Sequence, residues 1–167
     1  MPPDQHAEYL QLYRIAHNNA VSLLSDAEIL MERGKYIRAF FLALTALEEI
    51  AKSQLSADVF TGLVSEKKFQ EHYRSHEKKI DRMAWATLDA QDYLDRWGDA
   101  DLELEHPNAT SRTDALYVSL KEKKIQRPED VITANDAKGI IQSVKSAIES
   151  IVRNEFMGYQ IGTRGFM

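Results

Sequence analysis

The chain contains no cysteine, which excludes a disulfide framework and any zinc or iron–sulfur centre built on thiolates. That fits a reducing cytoplasm. Long hydrophobic runs are also missing. The longest nearly unbroken one, AFFLALTAL from Ala39, falls far short of the ~20 residues a bilayer-spanning helix needs. The opening segment, MPPDQHAEYL, lacks the basic and apolar regions of a secretory signal. A cytoplasmic location without a membrane partner is therefore expected. Gly-x-Gly-x-x-Gly, a Walker loop and a Gly-x-Ser-x-Gly elbow are all absent. Positive charge is not in excess: 21 Lys and Arg face 26 Asp and Glu, for a net charge of -5. That argues against a generic electrostatic nucleic-acid binder, and no DNA ligand is expected. With 167 residues and no internal repeat, low-complexity segment or linker, one domain is expected over 1–157, followed by a loose, glycine-bearing tail at 158–167.

What is present is helical periodicity. From Gln5 to Arg33, apolar residues recur at Leu10, Tyr13, Ala20, Leu24, Ala27 and Met31, with Gly34 placed to end that helix. A second helix is predicted from Tyr36 to Ala57, with DVFTGLVS as a connection. Ser65 can cap a third that continues to Trp97. WGDADLELEHPNATS reads as the longest turn-like stretch. DALYVSLKEKKIQRPEDVI is ambiguous, either a short helix or an extended segment with a charged turn; no sheet partner for LYVSL is evident. Thr133 with Asp136 approximates a capping box ahead of a last helix bearing Ile140, Val144, Ala147, Ile148 and Ile151. The pattern is that of an all-α helical bundle with about four long helices and a short element.

The stretch LEEIAK, Leu47 to Lys52, sets two glutamates and a lysine at the end of a very apolar run. On a helical wheel with Phe40 at zero, Ile37, Leu44, Leu47, Ala51 and Leu55 fall within about 60°. Glu49 and Lys52 lie between about 120° and 180°, on what reads as a solvated face. Glu48 falls near ~80°, on the shoulder of the apolar arc. Two readings are open for it. It is either a boundary residue paired with Lys52 four residues on, or a semi-buried carboxylate bonded to another helix, since a desolvated carboxylate needs a partner.

The candidate partner lies in FQEHYRSHEKKIDRMAWATL. With Phe69 at zero, Tyr73, Ile80, Met83 and Leu94 form a narrow stripe, and His76 lies about 20° from its centre. An imidazole there needs hydrogen-bond partners. It is either a core histidine satisfied by a carbonyl or hydroxyl, or the interhelical partner of Glu48, with Lys52 and Lys79 close by.

These segments resemble the AbiV-type abortive-infection proteins, a branch of the HEPN superfamily. GKYIRAFFLALTALEEIAKSQL is similar to that family's small-residue helix ending in Glu-Glu-apolar-x-Lys. FQEHYRSHEKKI is similar to the next element, with His76 and Lys79 in its His-x-x-Lys positions. RTDALYVSLKEKKIQRPEDVITANDAKGII resembles the third. The resemblance implies an HEPN-like bundle, a homodimer, and a part in antiviral defence with an RNA or a phage protein as partner. It implies Glu48, Lys52, His76 and Lys79 as site residues, with Arg112 and Tyr117 as weaker members. Many HEPN proteins are metal-independent ribonucleases whose signature is an Arg followed by a His five to seven positions later. Here the nearest pairs are Arg14 with His17, Arg74 with His76 and Arg96 with His106, and none has that spacing. The catalytic pair of the superfamily therefore does not carry over.

Two functional readings follow: a non-catalytic binding module acting on RNA or translation, or a ribonuclease with a non-standard site. In the second, His76 serves as acid or base, Lys52 or Lys79 as the cation, and Glu48 as the orienter of the imidazole. Neither needs a cofactor. His72 and His76 have the spacing to share a metal ion, but HYRSH lacks the glutamate of the HExxH motif, and no metal site is expected. The basic run KEKK, Lys121 to Lys124, reads as a solvated turn.

Overall fold

The computed structural model describes residues 7–74 and 116–156. Within them lie four helices and a short antiparallel hairpin: α1 (Ala7–Glu32), α2 (Tyr36–Phe60), α3 (Glu66–Tyr73), β1 (Ser119–Lys121), β2 (Lys124–Gln126), a 3₁₀ turn (Pro128–Asp130) and α4 (Ala134–Phe156). The protein is a helical bundle. No helix among the described residues is long and apolar enough to cross a membrane.

α1 and α2 form the central antiparallel pair. Their link is short because Gly34 takes φ +70, a conformation that costs glycine little. The Lys35 N–H donates to the Leu30 carbonyl at 2.8 Å and the Gly34 N–H to the Met31 carbonyl at 3.0 Å. That pair of bonds is the Schellman closure of a helix end. Small residues then let the two helices approach closely. Ala16, Ala20 and Ala27 on α1, and Ala39, Ala43, Ala46 and Ala57 on α2, are all buried. α4 lays Ala137, Ile140, Val144, Ala147 and Ile151 into the same core as Leu44, Leu47 and Ile50. A second apolar cluster, Leu55, Val59, Val64 and Phe69, fastens α3 to the end of α2.

α2 runs past the expected stop at Ala57 to Phe60, because the residue that ends it is Gly62, at φ +78. Ser65 caps α3 as its sequence predicts, accepting from the Lys68 N–H at 3.3 Å. α3 is shorter than the predicted Ser65–Trp97 helix: it ends at Tyr73, with Arg74 as its C-terminal cap. The cap of α4 is a complete box. The Thr133 N–H donates to Asp136 Oδ2 at 2.7 Å, and the Asp136 N–H donates to Thr133 Oγ1 at 3.2 Å.

The ambiguous segment is a hairpin. Ser119 pairs with Gln126, Leu120 with Ile125 and Lys121 with Lys124. The sheet partner that LYVSL lacked in the sequence is the chain immediately after it. Its turn was obscured because type I′ hairpin turns favour Asn-Gly, whereas here Glu122 and Lys123 take φ 49 and 64. The middle of the KEKK run, Glu122 and Lys123, is thus a turn, while Lys121 and Lys124 close the strands on either side of it. The 158–167 tail lies outside the described residues.

Candidate functional site

Thr45, Glu49, Lys52 and Ser56 share one side of α2, within about 120–180° of Phe40 on the wheel. The two hydroxyls are satisfied on the helix itself. Thr45 Oγ1 donates to the Phe41 carbonyl at 2.8 Å, and Ser56 Oγ donates to the Lys52 carbonyl at 2.7 Å. Lys52 Nζ pairs with Glu49 Oε1, and the ammonium lies 5.7 Å from the centre of the Tyr73 ring. The local partner of Lys52 is therefore Glu49, not Glu48. The side chains of Lys52 and Glu49 are 17% and 16% exposed, so the face that read as solvated is mostly covered. The wheel of an isolated helix does not register that the end of α3 crosses there and sets Tyr73 over Lys52.

Tyr73 is held by an aromatic ladder. It stacks on Phe69 at 5.3 Å between centroids, and Phe69 meets Tyr9 of α1 edge to face at 5.0 Å. Such pairs add stability beyond their buried area. Burial raises the pKa of the Tyr9 hydroxyl, and the carboxylates of Glu66 and then Glu8 raise it further.

Glu48 is only 5% exposed. Of its two readings, the partly wet edge is excluded. The cause is its place beside Leu44 and Leu47, both in the core that α4 completes. Sequence reasoning missed how polar the buried part of α2 is. Ser53, Gln54, Ser56 and Asp58 are all buried too. Among the described residues, Ser53 Oγ and Gln54 Nε2 have no hydrogen-bond partner. Asp58 fell inside the predicted connection. Had the helix been extended to Phe60, the same wheel would have set Asp58 at about 0°, in line with Phe40 and at the centre of the apolar arc. That was the available signal.

His76, Lys79 and Arg112 lie outside the described residues, and so does the expected His76–Glu48 contact. Tyr117 stands exposed just before β1, an environment unlike that of buried Glu48. His17 on α1 and His72 on α3 are half-buried. Among the described residues, no three His, Cys, Asp or Glu side chains gather as a metal site would require.

Chemically, the described part of the site is a buried carboxylate next to a neutralised ion pair. An ammonium already held by a carboxylate and an aromatic face is poorly placed to stabilise a developing phosphorane, because that role needs charge aimed at the reacting atoms.

A family model described as AbiV, of the HEPN group, matches residues 8–149. That span runs from the first turn of α1 through α2, α3 and the hairpin into the last third of α4. No curated protein and no solved structure matches the chain significantly.

Proposed function

The chain belongs to the AbiV family of HEPN proteins, and from that premise we propose that it serves phage defence by abortive infection, as a homodimeric cytoplasmic binding module acting on RNA or on translation. The observation that carries the binding reading is the lack of an Arg–His pair at nuclease spacing. The engagement of Lys52 with Glu49 and Tyr73 points the same way. Glu48, buried on the shoulder of the apolar arc beside Leu44, fixes how helices meet in this reading. In this reading, Glu48 and His76 act as internal polar contacts, and recognition belongs to the surface.

The competing reading is a metal-independent ribonuclease that uses His76 as acid or base, with Glu48 and a lysine, Lys52 or Lys79, in support. The test is incubation of purified protein with total cellular RNA, with and without a chelator, beside His76→Ala matched for helical content by circular dichroism. A parallel assay measures phage yield in cells expressing each form. Intact RNA with reduced phage yield is the expected result. Chelator-resistant cleavage that His76→Ala abolishes would overturn the binding reading in favour of the enzyme.

A further inference from the structure

The charge of this chain is unevenly placed. Tyr117 to Arg127 carries four cationic side chains against the single carboxylate of Glu122, a local +3 that leaves -8 on the remainder of a -5 chain. Those cations stand on and beside a hairpin whose strands, among the described elements, pack mainly on each other. A polyanion is therefore repelled by most of the protein and drawn to one small element, which focuses it there.

The hairpin sorts its side chains by face. Ser119 pairs with Gln126 and Lys121 with Lys124, and alternation along a strand puts both pairs on one face. Tyr117, two residues ahead of Ser119 and 63% exposed, falls on that face by the same alternation. Leu120 and Ile125 occupy the other. Two features of the lysine side work against the stability of the hairpin itself. Like charges directly opposite one another across two strands repel, and Lys121 and Lys124 are such a pair. The turn between them holds Glu122 and Lys123 at φ 49 and 64, where glycine would sit without strain. The chain instead sets a third ammonium at that turn. Backbone strain of this kind clusters where a side chain has a use. An anion lying across the tip turns the repulsion between the lysines into attraction and gives Lys123 a role.

The spacing selects the anion. From Lys121 back to Tyr117 is about 13 Å along an extended strand, longer than a single phosphate, and the row ends in an aromatic ring. Cations that follow a backbone, with an aromatic platform for a base, are the recognition chemistry of single-stranded nucleic acid. We propose that the lysine face of the hairpin binds single-stranded RNA, with backbone phosphates across Lys121, Lys123 and Lys124 and a base stacked on Tyr117. Duplex RNA fits less well, because its bases are already stacked and present no face to Tyr117. A protein partner would instead take the face of Leu120 and Ile125, and the test separates the two faces.

This inference rests on the RNA arm of the proposed function and deepens it by naming the surface that holds the strand. The test is fluorescence anisotropy of the full chain with a labelled oligouridine of about 12 nucleotides, read between about 50 and 200 mM salt. Each variant is checked for helical content. Three lysines on phosphate predict a slope of log affinity against log salt of about -2 for the wild type. Replacing both Lys121 and Lys124 by alanine is expected to flatten that slope by about 1.4. Tyr117→Ala lowers affinity about tenfold with the slope unchanged, and Tyr117→Phe retains it. Lys123→Gly separates charge from hairpin integrity. It relieves the turn, yet binding is expected to weaken and the slope to flatten by about 0.7, the reverse of what a structural role alone would give. Leu120→Thr, on the opposite face, leaves affinity and slope as they were. Equal binding by the wild type and the lysine variants overturns the hairpin site and leaves the RNA arm standing. So does tighter binding by Lys123→Gly, or a loss in Leu120→Thr as large as in the lysine pair. A wild type that leaves the oligouridine unbound overturns both the site and the RNA arm.

Discussion

The ammonium of Lys52 on α2 stands 5.7 Å from the centre of the Tyr73 ring on α3. The contact ties the last turn of a short helix to the most buried helix of the bundle. A cation over an aromatic face contributes about 0.5–1 kcal/mol at a partly exposed site. A double-mutant cycle with Lys52→Met and Tyr73→Leu, followed by denaturant unfolding, is expected to give a coupling energy of about that size. A coupling indistinguishable from zero would show that the ladder from Tyr9 through Phe69 holds Tyr73 without the lysine.

Glu48 offers a sharper measurement. A buried carboxylate is retained only where its desolvation is offset, and truncating it strands whatever offsets it. Glu48→Ala is expected to destabilise by about 3 kcal/mol, whereas Glu48→Gln, which keeps shape and hydrogen-bonding capacity, costs about 1 kcal/mol. Urea unfolding midpoints compare them. If both variants unfold with the wild type, the carboxylate has no structural role, and the account of Glu48 as a contact that fixes how helices meet fails.

Much of this architecture was legible in the sequence because it is written in local rules. Gly34, Ser65 and the Thr133–Asp136 box each announce a helix end through short-range chemistry, and each does so in the structure. The core of α1 follows directly from its spacing of Tyr13, Ala20, Leu24 and Ala27. What was not legible depends on long-range neighbours. The pairing of Lys52 with Glu49 and the cover over that face follow from where α3 crosses, which no wheel of α2 contains. Asp58 was lost because the end of α2 was placed three residues early, which hid its alignment with Phe40. The 116–131 stretch is ambiguous in the sequence, between a short helix and an extended segment with a charged turn, because its turn is built from residues that turn statistics disfavour.

That turn leads to the next prediction. Lys123 sits at φ 64, where a side chain costs about 1 kcal/mol relative to glycine. Lys123→Gly is therefore expected to protect the amides of β1 and β2 from hydrogen exchange by severalfold, while the amides of α1 and α2 exchange as before. Faster exchange in the hairpin after this substitution would mean that Lys123 contributes a contact worth more than the strain it imposes.

Tyr9 adds an alkaline dependence to stability. Burial, with Glu66 and Glu8 adding repulsion, raises its folded-state pKa above the ordinary 10.0. The folded chain thus holds the phenolic proton more tightly than the unfolded chain does. Between the two pKa values the folded state binds more protons, so stability must fall as pH rises. The contribution is complete below about pH 10 and is lost as pH climbs through the raised value. Tyr9→Phe removes the titrating group and keeps the ring against Phe69. Its stability is expected to decline less than that of the wild type as pH rises above about 10, with the two curves running parallel at neutral pH. Thermal unfolding at stepped pH measures this directly. Parallel curves through the alkaline range would show that the proton on Tyr9 is held no more tightly in the folded chain than in the unfolded one.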